Sequence, residues 1–180
     1  MPSAFTHAFV GGAATQLLPC EVPRVRVGVF LAVASALPDL DVIAFQIGIP
    51  YAHSFGHRGF SHSLLFALCL GVLTPLVVGR GEIRTRRVVV ASAAIGFAVV
   101  ASHGLLDAMT DAGLGIGFFI PFSDVRFFLP FRPIETASVD PLRFFSGRGL
   151  EVLWSEMKWV WTPVLAASLL YQLFVAHRNR

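Results

Sequence analysis

The sequence predicts an all-α integral membrane protein, a bundle of about four to five membrane-embedded helices, and three observations carry that prediction. Hydrophobic residues fill 55% of the 180 positions and the mean hydropathy is +0.70, well above the usage of soluble domains. Charged residues reach only 14%, so the net charge of +3 reflects a few clusters. Three segments, 63–79, 88–106 and 160–176, approach the roughly 20 apolar residues that cross a ~30 Å hydrocarbon core. The length fits one domain, residues 1–180.

In chain order, segments 4–18 and 25–37 are shorter and more mixed, which fits short spans, tilted helices or a hairpin partly sunk in the membrane. Leu17-Leu18-Pro19-Cys20 has the outline of a lipoprotein cleavage site, but no basic region precedes it and proline stands before the cysteine, so no signal peptide is expected. Pro38 biases Leu37 toward extended geometry and is expected to end the second segment. Segments 63–79 and 88–106 follow, joined by a linker that carries Arg80, Arg84, Arg86 and Arg87. Residues 107–158 hold most of the Gly and Pro punctuation and many phenylalanines, among them Phe118, Phe119, Phe122, Phe127, Phe128, Phe131, Phe144 and Phe145. They read as an interfacial segment capping a site. Trp154, Trp159 and Trp161 then lead the last span into the bilayer through an aromatic belt.

The positive-inside rule orients these segments. The arginine linker belongs on the cytoplasmic side, and with five crossings Arg24, Arg26, Arg178 and Arg180 fall there too. The N-terminus, residues 39–62 and residues 107–158 then share the opposite face.

Several chemistries are excluded. The fourteen basic residues include a single lysine, Lys158, so there is no lysine-bearing phosphate loop and no basic face dense enough for nucleic acid. Cys20 and Cys69 lack thiolate metal spacing and read as packing residues. No Gly-x-Ser-x-Gly elbow is present.

What remains are metal-ligand residue types at segment edges, where polar groups beside hydrocarbon are expensive to keep. His103 and Asp107 lie at i and i+4, on one helix face, and imidazole with carboxylate suits zinc or a similar divalent ion. Asp39 and Asp41 can converge on the same ion, or one can ligate while the other orients a histidine; either can be the ligand. In His57-Arg58-Gly59-Phe60-Ser61-His62, Gly59 permits a bend that brings the two histidines to one centre. Ser61 can cap the following helix, and Arg58 offers a fork for a phosphate or carboxylate of a substrate. His7 joins in company with the others, while His53 and His177 read as solvated or membrane-surface residues. All of these residues except His177 fall at the non-cytoplasmic face.

Together these motifs resemble the LexA-regulated, inner-membrane, metal-dependent hydrolase family (YdjM-like). The matching elements are Thr6-His7, Ala36-Leu37-Pro38-Asp39-Leu40-Asp41, the block His57 to Ser63, and His103-Gly104-Leu105-Leu106-Asp107 leading through Thr110 and Gly113 to Pro121-Phe122-Ser123. The likeness covers the first two thirds of the chain, and the C-terminal third matches only as another apolar helix. The order His7, Asp39, His62, His103, Asp107 is also similar to the ligand order of the zinc-dependent phospholipase C and P1 nuclease group, where Asp107 would bridge ions. No histidine follows Asp107 before His177, so one or two ions are expected rather than three.

The resemblance implies a multi-pass inner-membrane hydrolase with a zinc or manganese centre formed by His7, Asp39, His57, His62, His103 and Asp107. Asp41 is then the base or the partner of a ligand. Arg58, with Arg126 or Arg132, would hold an anionic headgroup of a lipid or lipid-linked phosphoester. Membrane lipids are the expected surroundings. The competing expectation is a non-catalytic membrane protein with a structural or sensory metal.

Overall fold

The computed structural model describes residues 1–19, 21–79, 85–138, 144 and 148–178. Within them the chain is a helical bundle: α1 (Ala4–Ala13), α2 (Arg24–Ala36), α3 (Ile43–Gln46), α4 (Leu64–Val78), α5 (Arg86–Ala108), α6 (Arg148–Glu156) and α7 (Thr162–Arg178). The strand-like features among the described residues are two isolated bridges, Thr110 with Ile134 and Ile116 with Phe127.

Local chemistry sets the ends of these helices. Ser3, Ser63 and Thr85 are N-caps whose side chains accept from the backbone N–H of Thr6, Phe66 and Val88. The helix cap is therefore Ser63, and Ser61, expected there, serves the site instead.

The α-helix of the second segment ends at Ala36, just before Pro38 as expected, but the chain does not turn extended there. Leu37 keeps helical angles (φ −58°, ψ −37°), and Pro38 opens the 3₁₀ turn Leu37–Val42 that carries α2 directly into α3. At the start of a helical turn the missing N–H is no loss, and the ring's fixed φ suits the turn. The rod Arg24–Gln46 thus has 23 residues and is long and apolar enough to cross a membrane, as are Arg86–Ala108 and Arg148–Arg178. The segment expected over 63–79 is the shorter one, the 15-residue α4. The roles of the second and third segments are accordingly exchanged in length.

The core lies where α2, α4 and α5 meet. Val27, Leu31, Val78, Val88 and Val99 form one buried cluster, and Ala34, Ala67 and Val100 another. Glycine lets the helices approach: a Cβ on Gly71 of α4 would lie 2.7 Å from the backbone N of Phe97 in α5. None of the residues of α7 is buried, and its Leu169, Leu170, Leu173 and Phe174 face outward, as expected of a helix whose neighbour is lipid. Cys69 is likewise exposed on α4 rather than packed, because that helix turns one face away from the bundle. Cys20, Arg80, Arg84, Phe145 and Arg180 lie outside the described residues.

Candidate metal centre

Four elements deliver polar groups to one buried place at the end of the bundle away from Arg24, Arg26, Arg86 and Arg87. The first turns of α1 bring His7, the 3₁₀ turn after α2 brings Asp39 and Asp41, the turn Phe60–His62 brings His62, and the last turns of α5 bring His103 and Asp107. His7, His103 and Asp107 are wholly inaccessible, and Asp39 and His62 are buried.

Asp39, His62, His103 and Asp107 each offer a ligand atom, and these atoms all lie within 4.8 Å of one another. His62 Nε2 lies 3.0 Å from His103 Nε2. Asp39 Oδ1 is 3.4 Å from His103 Nε2 and 3.8 Å from His62 Nε2, and Asp107 Oδ2 is 3.4 Å from His62 Nε2. Ligands about 2.0–2.1 Å from a tetrahedral zinc stand about 3.3–3.4 Å apart, so two of these separations match an edge of such a site, with the His62–His103 pair closer and the Asp39–His62 pair wider.

The other ring nitrogens fix the tautomers. His103 Nδ1 donates to the carbonyl of Ser35 at 2.7 Å. His62 Nδ1 faces Asp41 Oδ2 at 3.1 Å and Ser61 Oγ at 3.0 Å. With Nδ1 protonated in both rings, both Nε2 lone pairs point at the shared space, where a cation would satisfy both. The carboxylates of Asp39 and Asp107 border that space, and none of their four oxygens has a hydrogen-bond partner. Buried oxygens without hydrogen bonds are costly unless a cation meets them, and among these Arg58 Nε approaches Asp107 Oδ2 at 3.2 Å.

Burial disfavours charge on His62, yet the carboxylates of Asp107, Asp39 and Asp41 outweigh it and hold its pKa well above the ordinary histidine value.

His7 stacks on His103 with centroids 3.7 Å apart, and its Nε2 lies 3.4 Å from Asp107 Oδ1. Neither ring nitrogen has a hydrogen-bond partner. It stands at the edge of the four-residue cluster, in reach of a second Asp107 oxygen.

The structure separates the two aspartates of Pro-Asp-Leu-Asp. Asp39 faces the cluster; Asp41 sits behind His62, taking His57 Nδ1 at 2.5 Å, Ser61 Oγ at 2.5 Å and the N–H of Arg58 at 3.0 Å. His57 is grouped with Asp41 and His62 rather than with the four. Asp41 therefore orients His62 and His57.

Arg58 differs from its expected role. It is 1% exposed, and its fork is spent inside the protein: Nε lies 3.2 Å from Asp107 Oδ2, one terminal nitrogen donates to Ala112 O at 2.8 Å, and the other to Thr110 Oγ1 at 3.0 Å. Its backbone has φ 62°, a left-handed value held by the Asp41 bond and by Gly117 N–H donating to its carbonyl at 3.0 Å. The bend thus falls on Arg58. Gly59 is needed for closeness, since a Cβ there would lie 2.2 Å from Ser54 O. Arg126 binds the carbonyls of Tyr51, His53 and His57, and Arg132 lies over the Phe128 ring. His53 accepts from the Phe55 N–H in an exposed loop, and His177 is exposed on α7, both outside the centre.

The Phe-rich segment reaches this centre. Phe118 O accepts from Leu64 N at the head of α4, and Ile116, Ile120 and Ile134 are buried under it, while Phe119, Phe122 and Phe131 stay exposed. Sequence reasoning missed Glu156, a fully buried carboxylate on α6. A glutamate on the amphipathic approach to a span carries no pattern that distinguishes it from a surface residue.

Across its whole length, residues 1–180, the chain matches the family described as YdjM inner membrane protein. It is 38% identical over 173 residues to "Inner membrane protein YbcI" of Escherichia coli (strain K12), covering 91% of this chain and 92% of that protein. The likeness thus extends through the C-terminal third. The resemblance to the zinc phospholipase C and P1 nuclease group gains no support, and no solved structure matches.

Proposed function

The chain belongs to the YdjM inner membrane protein family, and on that footing we propose that it is a membrane-bound metal-dependent hydrolase whose ion is held by Asp39, His62, His103 and Asp107, with His7 as a further ligand. One observation carries the reading: two histidine Nε2 atoms 3.0 Å apart, flanked by two buried carboxylates without hydrogen-bond partners. Zinc is the ion favoured by this imidazole and carboxylate set, with manganese second and room for one or two ions.

Such an ion supplies a water of lowered pKa and polarises a phosphoryl oxygen. The chain's own residues do the rest. Asp41 holds the Nδ1 proton of His62, Ser35 O holds that of His103, and Arg58 balances Asp107 and ties the 110–112 loop to the centre. Beside that loop a cavity of about 490 Å³ is lined by Asp111, Ala112, Thr136 and Arg148. Arg148 there suits the anionic part of a lipid or lipid-linked phosphoester. The positive-inside rule supports a non-cytoplasmic site, since Arg24, Arg26, Arg86 and Arg87 gather at the far end.

A second reading, a structural or sensory metal, is favoured by the closure of the cluster, because structural zinc sites are closed and catalytic ones keep an open position. The test is metal analysis of detergent-purified protein with a panel of phosphodiesters and phospholipids. Stoichiometric metal with turnover supports the hydrolase. Metal without turnover, with unfolding on chelation, supports the second reading. A His103→Ala, Asp107→Ala double variant that keeps its metal ends both.

A further inference from the structure

Outside the metal centre, Glu156 is a fully buried carboxylate in the rod Arg148–Arg178. Three donors reach it, all from the chain's first residues. Ser3 N–H donates to Oε1, Ser3 Oγ to Oε2 at 2.7 Å, and Thr6 Oγ1 to Oε2 at 2.6 Å. Trp161 Nε1 also donates to Thr6 Oγ1, at 2.6 Å, and the Trp161 ring stacks on Phe9. The rod is π-helical over Met157–Trp161. The wider turn brings positions five apart toward one face, so that Glu156 and Trp161 both reach the same hydroxyl.

This network governs the first turn of α1. Ser3 is the N-cap, its Oγ accepts from Thr6 N, and its carbonyl accepts from the N–H of His7 at 3.3 Å. His7 is the next residue after Thr6. Its ring makes no hydrogen bond and touches the centre by stacking on His103 and by its approach to Asp107. A ring without a hydrogen bond of its own takes its place from the backbone that carries it.

We propose that Glu156 is a positioning residue for the metal centre: through Ser3 and Thr6 it fixes the start of α1 and holds His7 Nε2 against Asp107. The inference rests on the metal reading above. It gives the C-terminal rod a part in the site, although none of that rod's residues belongs to the ligand cluster.

A merely structural staple between the two ends of the chain would also destabilise on mutation, so the test is a double-mutant cycle read on the metal. Cobalt(II) is titrated into the purified, metal-stripped full chain in detergent, with its visible absorption bands reporting the ligand set. Glu156→Ala is expected to weaken cobalt affinity about tenfold and to change the bands, the scale typical for residues that orient metal ligands. Glu156→Gln, which keeps an acceptor for the Ser3 N–H, should recover most of the loss. In a His7→Ala background, Glu156→Ala should cost almost nothing more.

Equal losses with and without His7, or unchanged affinity and bands in folded Glu156→Ala protein, overturn the proposal. If Glu156→Ala does not fold, the same cycle with Trp161→Phe, which takes one donor from Thr6, decides it on the same two criteria. Wild-type protein that takes up no cobalt would instead overturn the metal reading itself.

Discussion

His62 and His103 meet head to head, Nε2 to Nε2 at 3.0 Å, while the opposite nitrogen of each ring is engaged by a different partner, Asp41 for His62 and the Ser35 carbonyl for His103. Two lone pairs held face to face by independent anchors do not relax apart. The arrangement suits a cation, and on the metal reading pH and metal supply would decide between proton and metal.

The anchor on His62 can be weakened without touching the ligand. Asp41→Asn keeps the shape and removes the charge that makes the imidazole a stronger donor to metal. Zinc affinity, measured by competition with a chromophoric chelator, should fall about 10- to 100-fold with the fold intact. Unchanged affinity would remove Asp41 from the site.

On the metal reading, metal and proton compete at His62. Its pKa is raised in the metal-free protein, so the proton's contribution to stability is fully present below the ordinary histidine value of ~6.5 and is lost as pH rises through the raised value. Metal-free protein should therefore lose thermal stability as pH climbs above neutrality. Zinc binding should release protons and strengthen over the same window. Calorimetric titrations in buffers of different ionisation enthalpy check the release; zero proton release sinks the assignment of His62 as a ligand.

Arg58 is a structural counter-charge to Asp107. Arg58→Ala takes the guanidinium from that buried carboxylate and frees the 110–112 loop, which should cost about 3 kcal/mol. Arg58→Lys should not restore it, because one ammonium cannot serve Asp107, Ala112 and Thr110 together. Thermal unfolding in detergent reads both variants. A lysine variant of wild-type stability would mean that charge alone, and not the fork, is needed.

Sidedness has a direct check. In a chain with Cys20 and Cys69 replaced by serine, Arg86→Cys should resist an impermeant thiol reagent applied to intact cells, and Ser123→Cys should react. The reverse pattern would place the centre in the cytoplasm.

The sequence shows the helices and the polar residues at their edges because hydrocarbon makes both conspicuous: His103 and Asp107 stand out in an apolar run, and the His57–His62 block stands out between two. What it does not show depends on tertiary closure. Pro38 reads as a switch to extended chain, yet Asp39, the very next residue, is carried on in a 3₁₀ turn. Arg58 reads as a free fork until its left-handed backbone turns it onto Asp107. Glu156 has no signature until the N-terminus folds onto it.

Leu64–Val78, at 15 residues, rises about 22 Å, some 8 Å less than a typical hydrocarbon core. It begins two residues after His62. If it spans the membrane, a helix that short is accommodated by thinning of the bilayer or by flanking residues that reach to the interface. Thinning would set the proposed site at His62 nearer the lipid than a full-length span would, which on the hydrolase reading favours a substrate that stays in the leaflet.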